Sequence, residues 1–346
     1  MFYSLKSRLN YSLGKLVPTR FIIGGLKLHP ATLLVELTNI CNANCIYCGY
    51  RFMKRDKGIM KQKLFEKLID EFDDKSGGDI NLTGVVGDPL IDRNIVEKIK
   101  YSMAKKNIRN IKFSTNGILL QRIGVKKLLE SGVNSILINI GGMDKETYKR
   151  LFGVDDFYKV YENVRKILLT NKSMHGKVDL TIVIKVISLE DVLKNKSCLS
   201  LKELAKECDA RIIFDNIYDS WSGRISKKDM VDDMKLKMNR EKKEPCSLLY
   251  NTLSIMWNGD VVPCCRDIDG EVILGNILQQ SIDEIWRGDI LKNLRRSFTK
   301  GSIPAICKKC EHYEGLKPLK NLHLFKKALR DGRSKVQNFN YKQKGE

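Results

Sequence analysis

From residue 31 onward, short runs rich in apolar and β-branched residues alternate with longer segments of helical period. The strand candidates are Thr32–Leu37, Asp79–Thr83, Ile111–Thr115, Ser135–Ile140, Leu180–Ile187 and Arg211–Phe214. Between them apolar positions recur as in an amphipathic helix, first at Leu64, Leu68 and Phe72 and later at Val164, Ile167 and Leu168. Strands that alternate with helices predict parallel βα units joined by right-handed crossovers. The fold class expected is α/β, a partial (β/α)6 TIM-like barrel, with its chemistry on the loops that follow the strands.

The pattern changes after the sixth strand. Residues 225–245 are highly charged and end in Pro245, which reads as a linker or an exposed helix. Beyond it, Met256-Trp257-Asn258-Gly259-Asp260-Val261-Val262 sets Asn-Gly between apolar residues, a strong hairpin signal. The organisation expected is a basic extension (1–30), a core domain (31–224), a linker (225–245), a small hairpin and helix domain (246–316) and a basic tail (317–346).

A length of 346 residues with 42% hydrophobic and 30% charged residues suits a globular chain of about two domains. No run of eighteen apolar residues occurs, so no helix is expected to span a bilayer. The first thirty residues lack a clean apolar signal core and cleavage site, which predicts a cytoplasmic location. In that reducing compartment the ten Cys read as metal or cluster ligands or as buried small side chains. The formal charge of +21 gathers at the ends, with +5 in residues 1–30 and +7 in residues 317–346. Basic ends suit an anionic partner or membrane surface, or simply keep the chain soluble. Leu322, Phe325 and Leu329, set among Lys326, Lys327 and Arg330, predict a basic amphipathic helix there. No aromatic-basic interleave of an RNA-binding strand is visible, which makes nucleic acid the weaker partner.

Cys41, Cys45 and Cys48 form C-x3-C-x2-C directly after the first strand. Three thiolates on one loop can hold three irons of a 4Fe-4S cluster and leave the fourth open to another ligand. Zinc with a distant fourth ligand, or one buried helical face, are the alternatives. With Tyr47 at the aromatic position, the motif resembles that of the radical S-adenosylmethionine (SAM) superfamily. The resemblance implies that the open iron binds SAM, which on reduction gives a 5′-deoxyadenosyl radical. It also implies a reduced flavodoxin or ferredoxin as electron donor.

Three further segments resemble family motifs, in order. Thr83-Gly84-Val85-Val86-Gly87-Asp88-Pro89 is similar to the G-G-E-P segment, with Val86 for the first glycine and Asp88 for the glutamate. Ser114-Thr115-Asn116-Gly117 resembles S-T-N-G, and Asn139-Ile140-Gly141-Gly142-Met143-Asp144 resembles S-x-D-G-x-D with Asn for Ser. The resemblance implies Tyr47, Gly87, Asp88, Ser114, Asn116 and Asn139 as the SAM-binding residues.

A second group comprises Cys246, Cys264 or Cys265, Cys307 and Cys310. With WNGDVVPCCRD and LGNILQQSIDEIW between its members, it resembles the SPASM/twitch auxiliary-cluster domains, the arrangement nearest to it being that of the butirosin-pathway aminocyclitol dehydrogenase. The resemblance implies one auxiliary 4Fe-4S cluster, since no Cys follows Cys310, and Cys264 is favoured over its neighbour as ligand. Four-thiolate zinc is the alternative. Cys198 and Cys208 read as packed small side chains, and His175 and His312 as solvated. Tyr218, Asp219 and Trp221 lie where a substrate could reach them.

This architecture implies a radical SAM oxidoreductase that dehydrogenates a sugar or cyclitol alcohol, or modifies a peptide, with the auxiliary cluster as electron acceptor. No residue is assigned as general base. A redox-neutral epimerase, with Cys198, Cys208 or Cys265 returning hydrogen, and a zinc-stabilised anion-binding protein are the competing expectations.

Overall fold

The computed structural model describes residues 29–315 except 76, 232–233, 238–240, 243–244 and 314. The basic extension and the amphipathic segment at 322–329 therefore lie, almost entirely and entirely, outside the described residues. All six expected strands form: β1 (Thr32–Val35), β2 (Gly78–Asn81), β3 (Ile108–Thr115), β4 (Ser135–Gly141), β5 (Asp179–Lys185) and β6 (Arg211–Asp215). They pair in parallel, each with the next along the chain.

Register explains the two faces of this sheet. Leu33 lies opposite Ile80, Ile80 opposite Ile111, Phe113 opposite Ile136, and Ile138 and Ile140 opposite Ile182 and Ile184. All are essentially inaccessible, since side chains two apart share a face and this face meets the helices. Helix Gln62–Lys75 contributes Leu64, Phe65, Leu68, Ile69 and Phe72, and helix Phe157–Ser173 contributes Val160, Val164, Ile167 and Leu168. The intervening positions, among them Asn81, Ser114, Asn139, Lys185 and Asp215, point to the barrel interior and are only half-buried.

The small domain is not separate from this sheet. After the charged segment, β9 (Thr252–Ile255) pairs in parallel with β1, and β10 (Asp260–Val262) and β11 (Gly275–Asn276) continue antiparallel, giving nine strands in all. The hairpin turns at Asn258-Gly259, where the Asn258 side chain accepts from the Asp260 N–H at 3.2 Å. Among the described residues of 225–245, Lys227–Asp229 make a single turn and β8 (Lys235–Leu236) pairs with β7 (Ile217–Tyr218).

A buried ion pair locks the junction. Glu36, just past β1 and 1% exposed, takes both guanidinium nitrogens of Arg55 at 3.0 and 2.8 Å. It also accepts from the backbone of Val86 and of Trp257 in the hairpin, while Arg55 donates to the Ile268 carbonyl. Burial pushes the Glu36 carboxyl up, against the pull of Arg55. Among the described residues no helix is long and apolar enough to cross a membrane.

Candidate active site

The loop carrying Cys41, Cys45 and Cys48 runs over the barrel end and is pinned by its backbone. Asn44 and Ile46 donate to the carbonyls of Phe152 and Leu151, at the end of helix Lys145–Phe152, at 2.9 and 3.0 Å. Asp88 donates its own N–H to the Ile40 carbonyl. Gly87 has φ +94° and a Cβ there would fall 2.3 Å from the Thr38 carbonyl, so only glycine lets this segment close on the cysteine loop.

Asp88 is buried, and its carboxylate is engaged by the protein itself. It accepts from the Leu90 N–H, the Thr115 hydroxyl and the Asn116 N–H, the last at 2.8 Å. The side chain implied for SAM recognition thus ties three segments together. Asn116 continues this tie, donating to the Asn42 side chain at 2.8 Å and lying 3.7 Å from the Cys41 sulfur. Ser114 exchanges backbone hydrogen bonds with the Thr83 hydroxyl, and Asn139 reaches the Thr115 carbonyl at 3.5 Å.

The thiols are half-buried and sense one another. Burial, with the Asp88 carboxylate beside it, pushes Cys41 up to about 12. Burial and the other two thiols push Cys45 well above its ordinary value, and burial raises Cys48 against the pull of the Tyr50 N–H, Arg266 and Lys185. Lys185, the last residue of β5, stands 5.3 Å from the Tyr47 ring centroid and 5.6 Å from that of Tyr218, and pairs with Asp215. Tyr218 itself donates to the Val186 carbonyl at 2.8 Å, which settles it as a packed side chain. Tyr148, fully buried and stacked on Phe152, has a hydroxyl without a partner among the described residues.

The second group gathers at the far side of the hairpin. Cys246 bridges to Gly315, Cys264 and Cys265 follow β10, and Cys307 lies in the short helix Ala305–Lys308 before Cys310. Burial, with Cys246 and Cys310 near, pushes Cys307 up to about 12, and burial raises Cys264 in the same company, next to Cys265. His312 is half-buried rather than solvated: burial, with Arg266 near it, pulls it down to about 4. His175 is exposed and Cys198 and Cys208 are buried, as expected.

Among the described residues no three His, Cys, Asp or Glu side chains converge on one point as ligands of a single ion. A cubane asks for a wider spread, since each thiolate takes a different iron. Two sets of neighbouring half-buried thiols, one of three and one of five that can offer four ligands, fit that donor chemistry.

Residues 35–195 match the radical SAM superfamily and residues 246–311 match SPASM, an iron-sulfur cluster-binding domain. The chain belongs to the radical SAM superfamily. As a radical SAM protein with a SPASM domain, its cofactors are a SAM-binding 4Fe-4S cluster, an auxiliary cluster and SAM. That answers the zinc alternative. Its fold is that of BtrN, solved in complex with AdoMet and 2-DOIA, at 19% identity and TM-score 0.55 over 84% of this chain and 96% of that one. SuiB of Streptococcus suis, bound to precursor peptide SuiA, is similar at 16% identity and TM-score 0.59 over 83% and 72%. A sequence relative is the probable GTP 3′,8-cyclase of Saccharolobus islandicus, 30% identical over 139 residues. That match covers 39% of this radical SAM protein and 43% of the cyclase, so the chain spans less than half the length of the curated relatives it matches.

Sequence reasoning missed Lys185, Asp215, Tyr148 and Arg266. The two β5 and β6 residues were legible in principle, as charged ends of apolar runs whose alternate positions face the interior.

Proposed function

We propose that this radical SAM enzyme oxidises its substrate by two electrons, removing hydrogen from a carbon that bears a hydroxyl or lies in a peptide. In this reading Cys41, Cys45 and Cys48 hold the SAM-binding cluster, and Cys246, Cys264, Cys307 and Cys310 hold the auxiliary one. When bound, the first cluster supplies the electron that cleaves SAM to methionine and a 5′-deoxyadenosyl radical, and the second supplies an acceptor for the electron left on the substrate. The observation that carries the reading is the second thiol group, whose domain is joined to the first by the pairing of β9 with β1.

The chain's own residues then have distinct tasks. Asn116 orients Cys41 and the loop, Asp88 holds Asn116, and Gly87 admits a close backbone approach. Tyr47, Ser114 and Asn139 line the space where SAM would sit. With SAM bound, hydrogen would be removed from the substrate carbon, and the chain would then have to take up a proton before a carbonyl could form. Glu36 and Asp88 are sealed by their donors, whereas Asp215, held by Lys185 and by the Ile217 N–H at 3.4 Å, keeps its side chain 26% exposed and can accept it. The electron donor is a reduced flavodoxin or ferredoxin, the enzyme works in the cytoplasm, and the charge of its basic ends suits an anionic or membrane-surface partner.

A redox-neutral cyclisation, the reaction in the cyclase's name, is the second reading, carried by the 30% identity over 139 residues. The test is anaerobic incubation with SAM, dithionite and a panel of cyclitols, sugar alcohols, peptides and GTP, followed by mass spectrometry. A product two hydrogens lighter, one 5′-deoxyadenosine per product and loss of product but not of SAM cleavage in Asp215→Asn are expected. A product of unchanged mass overturns the oxidation.

A further inference from the structure

Trp221 touches residues that neighbour both thiol groups. The Trp221 indole N–H donates to the carbonyl of Tyr47, next to Cys48, at 2.9 Å. A Cβ on Gly49 would fall 2.7 Å from the same ring, so the indole lies directly against the first cysteine loop. On its other side Trp221 is tied to the second group: its backbone N–H and the Ser220 hydroxyl both donate to Glu311, the neighbour of Cys310, at 2.9 and 2.8 Å. Trp221 and Ser222 hold this turn at φ +51° and +58°, left-handed values that L side chains avoid.

Arg266, the residue after Cys265, stacks on this indole with its guanidinium carbon 4.4 Å from the ring centroid. It is 6% exposed and donates to Asp219 at 2.5 Å. Its Nε–H is buried and has no acceptor among the described residues. A buried cation with an unspent donor, lodged between two groups of thiols, is costly unless something anionic takes that donor.

We propose that Arg266 is a cation shared by the two clusters, held between them by Trp221 and Asp219, and that it raises the reduction potential of both. The proposal rests on the reading that each cysteine group holds a cluster. Positive charge and hydrogen bonds near cluster sulfur favour the reduced state, which carries one more negative charge. The field of Arg266 also balances Asp219 and Glu311, and its loss leaves those two carboxylates facing both sites.

The test is an EPR-monitored redox titration of two iron-loaded single-cluster forms, Cys41→Ala/Cys45→Ala/Cys48→Ala and Cys246→Ala/Cys307→Ala/Cys310→Ala, each with and without Arg266→Gln. Both midpoint potentials should fall by about 59 mV or more, the one-electron equivalent of a tenfold change in the reduction equilibrium. Arg266→Lys, which keeps the charge on a different frame, should recover most of the shift. Arg211→Gln, at the opposite end of β6, should move neither. Unmoved potentials in Arg266→Gln, or a shift at one cluster alone, overturn the shared cation. Absence of iron from either single-cluster form overturns the cluster reading itself, and the proposal with it.

Discussion

Replacing Arg55 by Met should destabilise the protein far more than its surface-lying segment suggests. The change strands the Glu36 carboxylate, 1% exposed, with only the Val86 and Trp257 N–H groups at 3.4 and 3.3 Å to replace a bidentate partner. Breaking a buried pair on one side costs about 3–5 kcal/mol, a large part of the roughly 5–15 kcal/mol that keeps a protein folded. Removing both charges with Glu36→Leu and Arg55→Met should cost less than the single change, because burial already pushes the Glu36 carboxyl up despite Arg55. The sign with pH follows from the same direction. A carboxyl raised in the folded state favours folding when protonated, so the deficit of Arg55→Met should shrink as pH falls from 7 towards 5. Urea unfolding of the iron-loaded protein under argon, followed by tryptophan fluorescence, reads the effect as a midpoint shift on the order of 1 M for a slope of about 3 kcal/mol/M. A cost under about 1 kcal/mol, or a double variant as unstable as both single changes added, would refute the reasoning.

Other expectations are shorter to state. Asn116→Ala removes the tie between the β3 end and the cysteine loop, so reductive SAM cleavage should drop about 10–100-fold with iron content retained, read from 5′-deoxyadenosine and iron assays. Cys264→Ala should lose the auxiliary iron and Cys265→Ala should keep it, since Cys264 lies in the company of Cys246 and Cys310. His312, pulled down to about 4 by burial and Arg266, stabilises the fold above its ordinary value of 6.5 and should lose that contribution as pH falls from 6.5 towards 4. The loss should be about 2 kcal/mol, and His312→Gln should flatten that part of the thermal-stability profile.

The six core strands were legible because each buries one face against helices, and that requirement writes an alternation or an apolar run into a few consecutive residues. The Asn258-Gly259 hairpin was legible for a similar reason, its turn demanding a positive φ at Gly259. What escaped was contact between distant segments. β9 joins β1 across more than two hundred residues, and nothing in Thr-Leu-Ser-Ile announces a parallel partner. The motif resemblance located Asp88, but its engagement by Thr115 and Asn116 depends on how β2 and β3 end side by side. A polar setting made His312 look solvated, whereas the packing of Arg266 and Asp219 decides its environment. The charge of residues 225–245 likewise concealed the short pairing of β7 with β8.

The central claim is that two separate thiol groups hold two clusters and that the first drives radical formation from SAM. Anaerobic purification, reconstitution with iron and sulfide, and an iron count before and after replacing Cys41, Cys45 and Cys48 together by Ala test it most directly. The account predicts about eight irons falling to about four, with dithionite-dependent 5′-deoxyadenosine formation abolished. Unchanged iron and undiminished SAM cleavage in the triple variant would contradict it.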